Sequence, residues 1–422
     1  MSEKVKSIRG MQVLLPEVLE KWQAVEGIVK GVFNAYAFKE IRTPIVERSE
    51  LFHRTIGENT DVVAKEMYSF KDRKDQSLSL RPEATAGIVR AGIEHSLFYN
   101  QTQKLWSMGP MYRYERPQKG RYRQFHQINM EAFGFQGPEI DAEIILMTAR
   151  IWKLLKVDHL QLEINSLGMP VSRKKYRTEL QNYFSDHKAI LDEDSLHRLE
   201  KNPMRILDSK NPDLQSIIEA APKMLDFLDN ESSEHFEILK DALTSNGIPF
   251  ILNDKLVRGL DYYTKTVFEW TTDQLGSQAT VCGGGRYDGL VKELGGQDIP
   301  AIGCAIGVER LTELVAVSNE NPQNKQPKIY IVAVGKEAQN QALVLSEKIR
   351  DLGNGISVVM NMDGGSFKQQ FKRADKSGSD LALIIGEEEI ESGTVSIKSM
   401  KSDAEQKSVD EAKVLEEIKQ YL

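Results

Sequence analysis

Apolar residues return along the first part of the chain with two distinct periods. After Pro16 they fall at Leu19, Trp22, Val25, Val29, Val32 and Tyr36, three or four apart, which predicts an amphipathic helix with one buried face. The chain then becomes extended at Ile41-Arg42-Thr43-Pro44-Ile45-Val46, and Pro44 suggests a sheet edge because proline offers no N–H to a ladder. A second helix is predicted to open at Arg81-Pro82-Glu83, with Pro82 near its first position and Glu83 in its first turn. Ala86, Val89, Ile93 and Leu97 form its buried stripe.

Residues 111–135 switch to the period of a strand. Side chains two apart share a face, so Arg113 and Glu115 point one way on the first segment, while Phe125, Gln127 and Glu131 line one side of the second. Between the segments, Arg116, Lys119, Arg121 and Arg123 crowd a loop that contains Pro117 and Gly120. The whole chain carries a formal net charge of -7, so this positive charge is local. Arginine presents a planar fork to phosphate oxygens, and each charge-assisted hydrogen bond contributes roughly 1.5 to 3 kcal/mol where water is excluded. A basic loop taken alone is also read as a solvated hairpin tip.

From 169 to 246 no glycine occurs, although the chain has 30. Charged amphipathic helices broken near Pro203, Pro212 and Pro222 are predicted there, as a helical insertion over 169–250. Strand patterns resume at Leu256, through Thr266-Val267-Phe268-Glu269-Trp270 and Ala279-Thr280-Val281, and Gly283-Gly284-Gly285 reads as a tight turn or as backbone open to a ligand. A first domain begun at 1–168 is thus completed by 251–317. The polar, proline-punctuated stretch 318–327 predicts a linker. Beyond it, strands at 329–334, 357–360 and 381–385 alternate with helices at 337–350 and 367–376, the pattern of a small α/β domain at 328–422.

The 422 residues, 40% of them hydrophobic, suffice for several cores. The amino terminus has no uninterrupted apolar h-region, and no later run approaches the ~18 apolar residues that span a membrane, so a cytoplasmic, membrane-free protein is expected. Cys282 and Cys304 belong to neither a CxxC nor a CxxH pattern, which argues against structural zinc or a disulfide framework. No metal-ligand set is legible.

Several of these segments resemble the class II aminoacyl-tRNA synthetases, and in particular the histidyl-tRNA synthetase family, over nearly the whole chain. Ile41-Arg42-Thr43-Pro44-Ile45-Val46-Glu47 looks like motif 1, which contributes to the dimer interface in this class. The 111–135 hairpin looks like motif 2. Ala301-Ile302-Gly303-Cys304-Ala305-Ile306-Gly307-Val308-Glu309-Arg310-Leu311 looks like motif 3, a strand entering a helix that delivers an arginine to ATP. Leu256-Val257-Arg258-Gly259-Leu260-Asp261-Tyr262-Tyr263 and Gly283-Gly284-Gly285-Arg286-Tyr287-Asp288-Gly289-Leu290 resemble the two histidine signatures. The resemblance implies an α+β catalytic domain on a mostly antiparallel sheet, a helical insertion and a C-terminal α/β anticodon-binding domain. It also implies a homodimer.

By that resemblance, Arg113 would contact the α-phosphate, Arg121 and Arg310 the outer phosphates, and Phe125 would stack on adenine beside Glu115. Glu83, Thr85 and Gln127 would hold the amino-acid ammonium, with Ala84 beside them where the family often carries glycine. Glu131, Tyr262 and Tyr263 would surround the imidazole, a ring with one donor and one acceptor nitrogen; such polar readout rejects an apolar look-alike ~10⁴-fold. Arg258, with Arg113, would carry catalysis as a fixed cation where charge grows at the α-phosphate. Arg116, Gln118, Lys119 and Arg123 would meet the tRNA acceptor stem. Lys368, Lys372, Arg373 and Lys376 would offer the anticodon a basic surface, and equally fit a solvated helix face.

The implied reaction is ATP-dependent attachment of L-histidine to tRNA(His), with Mg2+ on the ATP phosphates, through histidyl-adenylate and transfer to the terminal 3′-hydroxyl. Two readings compete. A histidine-sensing, synthetase-like regulatory subunit of ATP phosphoribosyltransferase predicts loss of the catalytic arginines and of the anticodon domain. A pure RNA-binding protein needs neither the ATP site nor the histidine pocket.

Overall fold

An eight-stranded sheet organises the larger part of the protein, which the computed structural model describes over residues 4–57, 60–207, 209, 211–258, 260, 262–276, 280–317, 328–353, 355–402 and 405–421. Its strands in chain order are β1 (Lys39–Glu40), β2 (Gln103–Tyr112), β3 (Gln124–Phe133), β4 (Gln161–Ser166), β5 (Phe250–Leu252), β6 (Thr264–Thr271), β7 (Thr280–Arg286) and β8 (Ala301–Gly307). They lie side by side in the order β1-β2-β3-β8-β7-β6-β4-β5. The outermost pairs, β1–β2 and β4–β5, are parallel and the pairs between them antiparallel. The mostly antiparallel α+β architecture expected from the sequence is therefore the one observed.

The two faces of this sheet differ in kind. Ile128, Met130 and Ala132 of β3, Ile302, Cys304 and Ile306 of β8, and Phe268 and Trp270 of β6 bury one face against helices, among them Val308–Val317 with Val308, Leu311, Leu314 and Val315. The helix Pro16–Ala35 contributes Trp22, Val25, Val29, Val32 and Phe33, and the helices Glu139–Leu154 and Asn230–Ser245 also pack into the layer. The alternate residues of β3, Phe125, Gln127, Asn129 and Glu131, look the other way.

The segment 169–250 is not uniform. The helices Pro170–Asp186 and Glu193–Lys201 and the short turns that follow bury Tyr176, Leu180, Phe184 and Ile206 in a cluster that also holds Tyr262, Tyr263 and Val267. The helix Asn230–Ser245 instead sends Phe236, Leu239 and Leu243 into the core of the main sheet, and Phe250 already belongs to β5. Ser172 Oγ donates to Asp229 at 2.9 Å, so the start of the segment is tied to the start of its last helix.

Three local expectations are corrected. The helix expected from Arg81 begins at Thr85 and runs to Glu94; Glu83 lies before it and accepts the Thr85 and Ala86 N–H groups at 2.6 and 2.9 Å, so it caps rather than joins the first turn. Gly283, Gly284 and Gly285 do not form a turn but lie inside β7, where packing leaves no room for side chains. Leu256 lies in no strand, because the ladder resumes only at Thr264, and Tyr262 and Tyr263 precede it.

The chain divides into two compact units, Met1–Asn321 and Pro322–Leu422. The expected linker 318–327, with Gly259 and Asp261, lies outside the described residues. In the second unit the strands Lys328–Ala333, Ser357–Met360 and Leu381–Ile385 are parallel, and two further strands, Thr394–Ser399 and Lys407–Asp410, extend them antiparallel. Lys368, Lys372, Arg373 and Lys376 are exposed on the helix Phe367–Lys376. Among the described residues no helix is long and apolar enough to cross a membrane.

One buried ion pair links the layers: the fully buried guanidinium of Arg286 donates from Nη2 to Asp141 Oδ1 at 2.5 Å and to Gly137 O at 2.8 Å. Asp141→Ala would leave that cation with only its longer carboxylate contact, to Asp288 at 3.3 Å. We expect a loss of roughly 3 to 5 kcal/mol in unfolding free energy, measured by urea denaturation.

Candidate active site

Above the polar face of β3 lies a cavity of about 740 Å³. Its floor is made by the outward residues of β3, β8, β7 and β6, and its walls by the hairpin tip, the 83–85 segment and the 256–263 segment. The glycines of β7 and β8 keep the floor low. A Cβ at Gly283 would meet the Arg258 guanidinium at 2.7 Å, so the arginine lies flat on that backbone, and a Cβ at Gly303 would collide with the Glu131 carboxylate. Among the described residues, Gln127 Oε1, Asn129 Nδ2 and Arg258 Nε are buried without a hydrogen-bond partner. Orphan donors and acceptors on a cavity wall are what a polar ligand satisfies.

Four arginines line this cavity: Arg113, Arg121, Arg258 and Arg310. Arg113 donates from Nε to Pro82 O at 2.9 Å, and its guanidinium sits 5.3 Å from the centre of the Phe125 ring. Arg310, from the helix Val308–Val317, donates to Gly120 O at 3.0 Å and Thr280 O at 2.6 Å. Burial, followed by repulsion from Arg121 and Arg113, pushes the Arg310 pKa down. Burial likewise pushes Arg113 down, and Arg258 adds to the effect while Glu66 and Glu83 oppose it. Arg121 pairs with Glu115, and Arg258 with Glu269. Burial acts against the Arg258 charge, but Glu269 and Tyr263 outweigh it and hold the group above its ordinary range. Four guanidinium groups converging on one space suit an anion, with Glu115 and Glu269 balancing two of them in the absence of a ligand.

The other end of the cavity is densely hydrogen-bonded. Glu131 accepts from Thr85 Oγ1 at 2.7 Å and from the Tyr287 hydroxyl. Burial pushes its pKa up to about 8, against the lowering effect of those two bonds. Burial also raises Glu83, which the Thr85 and Ala86 contacts and Arg113 only partly offset. The rings of Tyr262 and Tyr263 lie 4.7 Å apart, and Tyr262 and Tyr287 meet edge to face at 5.5 Å. Burial raises all three phenols, so they stay neutral donors.

Of the residues singled out from the sequence, Glu83, Thr85, Arg113, Glu115, Arg121, Phe125, Gln127, Arg258, Tyr262, Tyr263 and Arg310 all line this one cavity. Glu131 reaches it through Thr85, Tyr287 and Gly303, which line it. Ala84 does not; its side chain is buried in the neighbouring apolar cluster. Arg116, Gln118 and Lys119 are exposed at the hairpin tip, where Lys119 pairs with Glu313. Arg123 turns back to lie 3.8 Å over the Tyr114 ring, while its N–H donates to Gly10 O at 2.8 Å. Sequence reasoning missed Tyr287, Asn129 and Glu269. Asn129 shares the period of Gln127 and Glu131, and Tyr287 sits inside a quoted signature, so both had a signal; Glu269 is recognisable only through its contact with Arg258. Among the described residues no group of three or more His, Cys, Asp or Glu side chains is placed to hold a metal ion.

The raised Glu131 has a consequence for stability. A carboxyl with its pKa near 8 when folded binds its proton more tightly folded than unfolded. Its contribution is fully present below the ordinary glutamate range and is lost as pH rises through about 8. We therefore expect Glu131→Gln to gain thermal stability relative to the parent as pH goes from 5 to 9 without ligand. A melting-temperature gap that stays flat with pH would contradict this.

Residues 10–311 match the family model described as histidyl-tRNA synthetase, and residues 328–421 the model described as anticodon binding domain. The apo histidyl-tRNA synthetase of S. aureus is 36% identical over 99% of this chain and 100% of its own, with a TM-score of 0.83. Two more distant structures share the fold. Histidyl-tRNA synthetase from Nostoc sp. PCC 7120 is 21% identical, with a TM-score of 0.69, over 99% of this chain and 100% of its own. An ATP phosphoribosyltransferase regulatory subunit/histidyl-tRNA synthetase from Bacillus halodurans C is 19% identical, with a TM-score of 0.63, over 92% and 99%. With a family model matched across most of the chain and a relative of that identity aligned from end to end, this chain belongs to the histidyl-tRNA synthetase family.

Proposed function

We propose that this chain is a working histidine–tRNA ligase. The observation that carries the reading is the convergence of Arg113, Arg121, Arg258 and Arg310 on a cavity whose far end is a neutral cluster of Glu131, Thr85 and three tyrosines. One end suits a polyphosphate, the other a neutral imidazole.

In the first step a histidine carboxylate oxygen attacks the α-phosphorus of ATP, the bond to the β-phosphate oxygen breaks, and pyrophosphate leaves. Arg258 and Arg113 stabilise the charge that grows on the α-phosphoryl oxygens, and Arg121 and Arg310 hold the leaving pyrophosphate. Mg2+ enters with ATP as part of the substrate. Phe125 stacks on adenine beside Glu115, with Arg113 over its ring. Glu83, Thr85 and Gln127 take the ammonium, whose hydrogens suit the unpaired Gln127 oxygen. Glu131, Tyr262, Tyr263 and Tyr287 read the imidazole. In the second step the 3′-hydroxyl of tRNA(His) attacks the adenylate carbonyl and AMP departs, with Arg116, Gln118, Lys119 and Arg123 near the acceptor stem.

The same reading makes the protein a cytoplasmic homodimer that meets its copy through the motif 1 stretch, where Thr43, Pro44 and Glu47 line a surface groove of about 840 Å³. The four arginines and the second unit matched as an anticodon binding domain support the ligase over the regulatory-subunit reading.

Histidine-dependent exchange of pyrophosphate into ATP tests the reading. The parent should exchange with histidine and not with arginine or glutamine, and Arg258→Ala should fall by ~10² to 10³ while still binding ATP. An inactive parent would sink the ligase reading and bring the regulatory one forward. Gly303→Ala, whose methyl displaces Glu131, should raise the KM for histidine and leave that for ATP unchanged in the same assay.

A further inference from the structure

One helix outside the cavity grips both segments that frame the imidazole end. The helix Asn230–Ser245 carries Glu231 and His235 four residues apart, hence on one face. His235 Nε2 lies 2.8 Å from Asp141 Oδ2, and because an ionised carboxylate only accepts, that nitrogen carries the hydrogen. Asp141 also accepts from Arg286 Nε at 3.2 Å, and Arg286 Nη1 reaches Phe135 O at 3.1 Å and Asp288 Oδ1 at 3.3 Å. Asp288 is held in turn: its N–H donates to Thr264 Oγ1 at 3.1 Å, and its carboxylate accepts from Ala301 N at 3.0 Å. Tyr287, the donor to Glu131, is therefore bracketed on both sides by anchored residues.

Glu231 accepts from the buried Lys265 Nζ at 2.7 Å. Lys265 follows Tyr263 by two residues and adopts φ +43°, a left-handed conformation that a lysine keeps only when its surroundings impose it. Those surroundings are Gly168 O, which accepts its N–H at 2.9 Å, and Leu167 N, which donates to its carbonyl at 2.7 Å. Arg173 donates to the Tyr263 carbonyl beside them. The described lining of the cavity includes neither Glu231, His235, Asp141 nor Lys265.

Resting on the ligase reading above, we propose that the helix Asn230–Ser245 is a positioning element of the histidine pocket. His235 sets Tyr287, and through it Glu131, by way of Asp141 and Arg286; Glu231 sets Tyr262 and Tyr263 by way of Lys265. The helix closes the 169–250 segment, so the same contacts couple that segment to amino-acid recognition. A helix that merely adds stability would carry these contacts without any effect specific to histidine.

Pyrophosphate exchange at varied histidine and at varied ATP separates the two roles. His235→Phe fills the volume and removes the donor; it should raise the histidine KM about tenfold and leave the ATP KM within about twofold. His235→Gln, which keeps an N–H for Asp141, should recover most of the loss. Glu231→Ala changes a largely exposed side chain and should raise the histidine KM about threefold with the protein fully folded. An unchanged histidine KM in either His235→Phe or Glu231→Ala would overturn the proposal, as would an equal rise in both substrates' KM. If His235→Phe fails to fold, Glu231→Ala decides by the same criterion. If the parent shows no exchange, the ligase reading has failed; the histidine Kd of parent and variants, by titration calorimetry, then reads the positioning role, with the same outcomes.

Discussion

Everything in the larger unit depends on strand β3 keeping one register. Its odd and even residues have opposite tasks: Ile128, Met130 and Ala132 bury against the helical layer, while Phe125, Gln127, Asn129 and Glu131 face the cavity. A slip of one residue would put Glu131 into the apolar core and Met130 into the pocket, and burial of apolar surface at about 25 cal/mol per Å² opposes that strongly. The sheet thus aligns the site by the same contacts that stabilise the fold. The glycines of β7 and β8 complete the arrangement, since they let Arg258 and Glu131 lie close against the floor.

Charge is distributed within this frame so that a ligand completes it. Arg113 and Arg310 are pushed below their ordinary range by burial and by other arginines, whereas Arg258 is held up by Glu269. An anion would relieve the first two and meet the third already in place. At the far end, burial keeps the phenols neutral and holds Glu131 near 8, so a ligand there would meet hydrogen-bonding groups rather than a strong field. Polar recognition in a dry pocket discriminates well because a wrong ligand leaves buried donors and acceptors unpaired.

Around the site, polar contacts do the positioning that apolar packing does elsewhere. Arg286, inside a signature that reads like ligand-binding residues, is spent on Asp141, Asp288 and two backbone carbonyls. Its neighbour Tyr287 does the reaching into the pocket. An ion pair so deeply buried adds little stability over an apolar equivalent. Glu83 likewise serves twice, as cap of the helix Thr85–Glu94 and as a wall of the cavity.

Much of this was legible along the chain, for reasons that are local. The helix from Pro16, the paired strands around the arginine-rich loop and the glycine-free helical stretch follow from spacing and composition, which act between near neighbours, while the strand-to-helix passage at Gly307 and Val308 was implied by the family resemblance. The residues of the cavity were recognisable as motifs, and Arg113, Gln127, Arg258 and Arg310 do converge. What only the tertiary structure decided is which partner each group takes. Gly283 to Gly285 are strand rather than turn because they pair with β6 on one side and β8 on the other, segments distant in sequence. Glu269 acquires a role through Arg258, and His235 through Asp141, 94 positions earlier in the chain. Periodicity determined the elements and their buried faces; contacts between residues distant in sequence, which no local pattern encodes, determined the site.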